Sequence, residues 1–206
     1  MKNLYLKRLR MLAVGGVFVT IFVANDAFAA VDAGPAMSAA DKKIVESDPL
    51  LRAMQDELRR EQELLLLPGM QRPYFIEYRI DDFQTYDAVA NYGALTREDR
   101  NHQRVVRVTV RIGDYTSDSS SSRGDGSVEL APEDNDPEAL RYALWTATDE
   151  AYKASLRAYA TKQASLKRFE RPPTEKDFSQ AAKPVVAVEP LVPLELNEAE
   201  WKKRIV

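Results

Sequence analysis

The 206-residue chain has no cysteine and a single histidine, His102. Without thiols there is no disulfide framework, zinc ribbon, iron–sulfur cluster or cysteine nucleophile. One imidazole excludes any site that needs two, including the H-E-x-x-H zinc helix. Glycine is sparse, at eight residues, and forms no phosphate-cradling loop; Gly113 and Gly124 stand apart. Positive charge is not in excess: 29 Lys+Arg face 32 Asp+Glu, for a net charge of −3. That balance argues against a nucleic-acid binder, which carries a clustered basic face. The apolar run Met11–Ala24 is broken by Gly15, Gly16 and Thr20, and it falls short of the roughly 20 residues a bilayer core requires. What remains is an ordinary folded composition, with 45% hydrophobic and 9% aromatic residues, enough apolar content to exclude wholesale disorder.

Residues 1–29 read as a secretory signal peptide. Lys2, Lys7, Arg8 and Arg10 form a positive start without acids, the apolar run follows, and Ala27 and Ala29 supply small residues at the −3 and −1 positions for cleavage after Ala29. No cysteine adjoins the cut, which excludes a lipoprotein anchor. The expected location is the periplasm or the exterior, with no membrane attachment after cleavage. Removal of this segment leaves 25 Lys+Arg against 31 Asp+Glu. A cysteine-free chain in that compartment has only its core to stabilise it.

Residues 30–47 are small and polar and read as a flexible tether. Asp48-Pro49 combines an N-cap with proline at the first helical position. Leu51, Met54, Leu58 and Leu65 mark one apolar face of the helix that follows, and Pro68-Gly69 closes it. Glu57, Arg59, Arg60, Glu61 and Glu63 are expected to solvate the rest. Three strands are predicted next, at Tyr74–Asp81, Tyr86–Leu95 and Gln103–Ile112, joined as an antiparallel meander. Asp114–Asn135 reads as a surface loop.

Asp136-Pro137 opens a second helix to about Arg168, on the same capping signal as the first. Leu140, Ala143, Leu144, Ala147, Ala151, Ala154 and Ala158 give it a stripe that can lie close on a sheet. Trp145, Tyr152 and Tyr159 form a second stripe. These aromatics either pack on the first helix or present an interaction face to a second domain or subunit. Residues 171–206 begin with Arg171-Pro172-Pro173, continue through Pro184, Pro190 and Pro193 as an extended Pro-rich linker, and end in a capping box from Asn197 to Glu200. There a second domain is expected to begin. The predicted fold class is α+β: a two-layer sandwich of an antiparallel sheet, three-stranded or slightly larger, packed by two long helices and followed by an extended tail.

Several segments, in order and spacing, resemble a known family. They are Leu64-Leu65-Leu66-Leu67-Pro68-Gly69, Pro73-Tyr74-Phe75-Ile76-Glu77-Tyr78-Arg79, Arg107 to Tyr115, Ala143-Leu144-Trp145 and Glu189-Pro190-Leu191-Val192-Pro193-Leu194. Together they resemble the amino-terminal domain of secreted TldD/PmbA-family proteins, metallopeptidase-related and of the modulator of DNA gyrase type, over residues 48–206. The resemblance implies an α/β amino-terminal domain over 48–170, joined in relatives to a β-rich carboxy-terminal region, with dimers or heterodimers as the working form. In peptidase members an H-E-x-x-x-H helix holds zinc in a peptide-cleaving cleft. This chain departs from that pattern: it lacks the helix and has one histidine, so neither zinc nor any catalytic residue transfers to it. The expectation is an amino-terminal domain whose β-rich region lies outside this sequence.

The remaining clusters have plain interpretations. His102, between Arg100, Asn101 and Arg104, reads as a solvated residue of a hairpin loop. Arg123-Gly124-Asp125 matches an integrin-type tripeptide by chance. Asp114, Asp118, Asp125, Glu133, Asp134 and Asp136 lack EF-hand spacing and read as a solvated acidic loop. Glu77, Asp81 and Asp82 read as a wet sheet face instead of an acid–base pair. No catalytic, metal-binding or cofactor-binding residue is assigned, and the expected partners are polypeptides: the β-rich region or a partner subunit, and peptides, with no nucleic acid. Three functions stay open. The first is a noncatalytic exported domain that contributes to a cleft or dimer. The second is a stand-alone periplasmic module that binds a peptide or protein along a sheet edge. The third is an enzyme with a carboxylate-only or metal-assisted site.

Overall fold

The computed structural model describes residues 7–17, 39–120, 126–169, 175–179 and 196–206. The cleavage residues Ala27 and Ala29, residues 30–38 of the expected tether, Arg123-Gly124-Asp125 and most of the Pro-rich linker lie outside these residues. Asp48 caps α2 (Pro49–Leu64) by accepting from the Leu50 and Leu51 amides at 2.8 and 3.0 Å, so the expected cap is present. Leu51, Met54 and Leu58 are buried along its apolar face. The end of the expected tether is helical instead: α1 (Ala39–Ser47) contributes Val45 to the core.

The sheet has four antiparallel strands in the order β1-β2-β3-β4: Lys7–Val17, Phe75–Asn91, Ala94–Arg111 and Ser127–Ala131. Its strand boundaries differ from the expected meander. The first two predicted strands are one continuous β2, which runs straight through Asp81-Asp82. Cross-strand pairing makes this continuity tolerable. Asp81 is buried between Arg79 at 2.8 Å and Arg107 at 3.0 Å, and Asp82 meets Arg104 at 2.9 Å and His102 at 2.5 Å.

The chain reverses later, at Tyr92-Gly93, where φ values of 52° and 79° make a two-residue hairpin turn. His102 is therefore a mid-strand residue of β3, opposite Gln84, and not part of a loop. β4 lies within the segment predicted to be loop, held by pairing with Arg104–Val108. β1 falls within the residues expected to form the leader. In a chain cut after Ala29, β2 would become the edge strand on that side.

The helices cover one sheet face. Ile76, Tyr78, Ile80, Val106, Val108, Val110 and Ile112 meet Leu140, Leu144, Ala147 and Ala151 of α3 (Pro137–Phe169) in one core. The predicted α+β sandwich is therefore present, with its alternating β3 valines turned inward as the sequence pattern requires. Asp136 caps α3 through the Ala139 amide at 2.8 Å. The alanine stripe allows a close approach: the Ser155 hydroxyl donates to the Val110 carbonyl at 2.6 Å, and the Ser127 hydroxyl to the Ala147 carbonyl at 2.6 Å.

Beyond α3, the Asp118 amide donates to Asp177 at 2.8 Å, and Phe178 stacks parallel on Tyr115 with 6.1 Å between ring centroids. The predicted carboxy-terminal cap is also present: Asn197 accepts from the Glu200 amide at 3.2 Å and opens α4 (Glu198–Ile205). This short helix has a partner, because Lys202 meets Glu98 on β3 at 2.6 Å and lies over the Tyr86 ring.

Two acids expected to be solvated are in the interior. Glu57 and Glu61, one turn apart on α2, are 1% and 4% exposed. Arg60 lies 2.6 Å from both, and Arg141 of α3 reaches Glu57 at 3.0 Å. Two nearby guanidinium groups compensate the charge that burial penalises. Burial, and then a hydrogen bond with Glu57, push the Glu61 carboxyl from an ordinary 4.5 up to about 7. The folded chain thus holds this proton at a higher pH than the unfolded chain does. Its stabilising effect is complete below about 4.5 and lost as pH rises through about 7. Glu61→Gln is expected to flatten this component, so urea unfolding at about pH 5 and about pH 8 should show the variant gaining on the native chain at the higher value. A second prediction concerns Tyr92, a non-glycine residue at φ 52°. Tyr92→Asn, which suits this turn, is expected to stabilise the chain by about 1 kcal/mol in the same assay.

Candidate functional site

Among the described residues, the candidate site is the outer edge of β4 together with the first turns of α3. β4 pairs with β3 on one side, and no described strand pairs with the other, which leaves backbone donors and acceptors open to an incoming strand. Both ends of this edge are fixed. At one end Gly126 has φ 132°, and a Cβ there would come within 2.1 Å of the Val108 carbonyl oxygen, so this close approach requires glycine. At the other end Pro132 follows Ala131 and has no amide hydrogen to donate. Between them the side chains alternate. Ser127 and Ala131 face the helices, the first bonded to α3 and the second in the core. Val128 and Leu130 project from the other face and are 58% and 65% exposed.

Alongside this edge runs a groove of about 660 Å³. Its strand side is Glu129, Leu130 and Pro132; its helix side includes Glu138, Tyr142, Ala143 and Thr146. The Thr146 hydroxyl is buried and has no hydrogen-bond partner among the described residues. Tyr142 is 67% exposed and packs its ring 5.8 Å from that of Trp145, an aromatic pair at the groove's rim. Large exposed aromatic and aliphatic side chains gathered beside an unpaired strand edge are the ingredients of strand addition to a sheet.

The stripe of Trp145, Tyr152 and Tyr159 is divided by the fold. Trp145 is partly exposed beside this groove. Tyr152 is fully buried, its hydroxyl donating to the Gln71 carbonyl at 2.7 Å and accepting from the Leu67 amide at 3.4 Å. Tyr159 packs against the core. The three residues therefore share no common exposed face, because the segment after α2 covers Tyr152. Tyr142, one turn before Trp145, takes part in the exposed patch; its sequence signal was only its place next to Ala143 on a helix whose two predicted stripes omit it.

The titratable clusters serve the scaffold. His102 Nε2 faces Asp82, and its Nδ1 lies 3.7 Å from Glu133, so both ring nitrogens are directed at carboxylates and neither at a nucleophile. Burial works against the charge on Asp82, but hydrogen bonds from Arg104 and His102 outweigh it and hold the carboxyl below its ordinary range. Asp118, read as a loop acid, is fully buried. It accepts from the Tyr74 hydroxyl at 2.6 Å and from Arg111 at 2.9 Å. Burial again opposes its charge, and hydrogen bonds from Ser120, Tyr74 and Arg111 together keep it low. Asp114 closes a turn by accepting from the Thr116 and Ser117 amides at 2.7 and 2.9 Å. Asp114, Asp118 and Asp136 thus have separate partners, and no group of three potential metal ligands forms among the described residues. Nor is any described helix long and apolar enough to cross a membrane.

Comparison with protein-family models, curated proteins and solved structures finds no match. The site therefore stands on its own geometry. Gly126→Ala tests that geometry: it would force the carbonyl of Val108 away and displace the start of β4, and a loss of about 2 kcal/mol in unfolding free energy is expected by chemical denaturation.

Proposed function

We propose that this chain is a noncatalytic polypeptide-docking domain, one that takes an extended segment of a partner as an added strand on β4. The supporting observation is the short, unpaired edge of Ser127–Ala131, bordered by a groove and by exposed Val128, Leu130, Tyr142 and Trp145. Backbone pairing along such an edge supplies affinity, and the side-chain surfaces on either side of it supply selectivity. In an amino-terminal domain of the TldD/PmbA type, the added strand belongs to the β-rich region or to a partner subunit that completes a cleft or dimer. In a stand-alone module it belongs to a separate peptide. With residues 1–29 acting as a leader, docking takes place in the periplasm or outside the cell.

A defined set of extended peptides of about eight residues, measured by fluorescence anisotropy against the full chain, tests this proposal. Members of the set should bind. The double variant Leu130→Asp, Tyr142→Ala should weaken binding about tenfold or more while leaving the circular dichroism and melting temperature unchanged, since both side chains are exposed. Failure of every peptide to bind, or binding indifferent to the double variant, would contradict it.

A further inference from the structure

The chemistry of the incoming strand can be deduced from what each position of β4 would place opposite it. We infer that the edge selects a segment with an apolar–basic–apolar triplet, its lysine or arginine held opposite Glu129 and its two apolar side chains beside Val128 and Leu130. This inference rests on the docking role just proposed and specifies its partner.

Residues directly opposite on neighbouring strands bring their Cβ atoms within about 5 Å, so each side chain of β4 sets the preference of its partner. Val128 and Leu130 share the face away from the helices, and both are more than half exposed. An added strand would cover them with its first and third side chains. Glu129, between them, points to the other side and lines the groove. A side chain opposite it enters the space bounded by Glu138 and Tyr142 of α3.

The charge of that space is of one sign. Neither Glu129 nor Glu138 has an ion-pair partner among the described residues, and the third acid of the groove, Asp136, is committed to capping α3. Among the described residues no lysine, arginine or histidine lines the groove. The positive end of the α3 dipole, which would repel a cation, is offset by Asp136 and Glu138 in and before the first turn. A cation entering here meets two carboxylates and an exposed tyrosine ring, which also attracts cations over its face. An acidic side chain in the same position faces like charge from the directly opposed residue, which destabilises pairing.

The test compares two peptides that differ at one position, each with the full chain at low ionic strength. Both carry a valine–X–valine centre with threonine flanks; X is lysine in one and glutamate in the other. The lysine peptide should bind at least about tenfold more tightly, and Glu129→Lys should invert the order. This residue lies on an edge strand, its side chain is partly exposed, and it is outside the core, so the variant is expected to fold; an unchanged melting curve verifies that. Equal binding of the two peptides to the native chain, or an order that Glu129→Lys leaves unchanged, would overturn the charge selection while leaving strand docking intact. If neither peptide binds either protein, strand docking and the selection built on it fall together.

Discussion

Ser155 and Ser127 each spend a hydroxyl hydrogen on a main-chain carbonyl across the helix–sheet interface, at 2.6 Å in both cases. Bonds that short need the backbone of α3 to lie nearly on the sheet. Only small side chains permit it, and Ala143, Ala147 and Ala151 supply them. Because α3 is held this closely over β3 and β4, β4 is fixed from two sides although it is only five residues long. The same approach brings the first turns of α3 beside the outer edge of β4 and so creates the groove. A bulkier residue at Ala147 or Ala151 would lift the helix, release Ser127 and widen or erase the site.

The second constraint is electrostatic. The β2–β3 hairpin carries charged residues where a sheet normally carries apolar ones, and its two adjacent acids are each met by bases on the neighbouring strand: Asp81 by Arg107, Asp82 by Arg104 and His102. Arg104 extends the network further, donating to the Pro132 and Asp134 carbonyls at 2.8 Å each. That contact ties the end of β4 and the approach to α3 to the middle of the hairpin. Asp81 and Asp82, which the sequence reads as part of a wet sheet face, are instead the clasp that sets the geometry of the edge.

The local signals in the sequence were the reliable ones. Capping by Asp48, Asp136 and Asn197 depends on residues one to three positions away, and each cap forms as expected. The β3 valines and the α3 alanines were equally legible, since periodicity records which face is buried. What could not be read was long-range. The continuity of β2 through Asp81-Asp82 depends on arginines more than twenty residues later. The burial of Glu57 and Glu61 depends on Arg60 close by but also on Arg141 from another helix. β4 was hidden because a short edge strand beside Ser- and Gly-rich chain carries too little pattern to stand out from loop. The candidate site inherits that difficulty: the sequence places Trp145 in an aromatic stripe that reads either as packing on the first helix or as an interaction face, whereas Tyr142 and the strand edge emerge only when α3 and β4 are side by side.

Everything functional in this account depends on the outer edge of β4 being unpaired. Amide hydrogen exchange of Val128, Glu129, Leu130 and Ala131 in the free full-length chain measures this directly. Alternation is expected: amides directed at β3 should be protected with the rest of the sheet, and those directed outward should exchange as freely as solvent-exposed amides do. Uniform protection along β4 would mean that the edge is already covered, and would contradict the proposed docking.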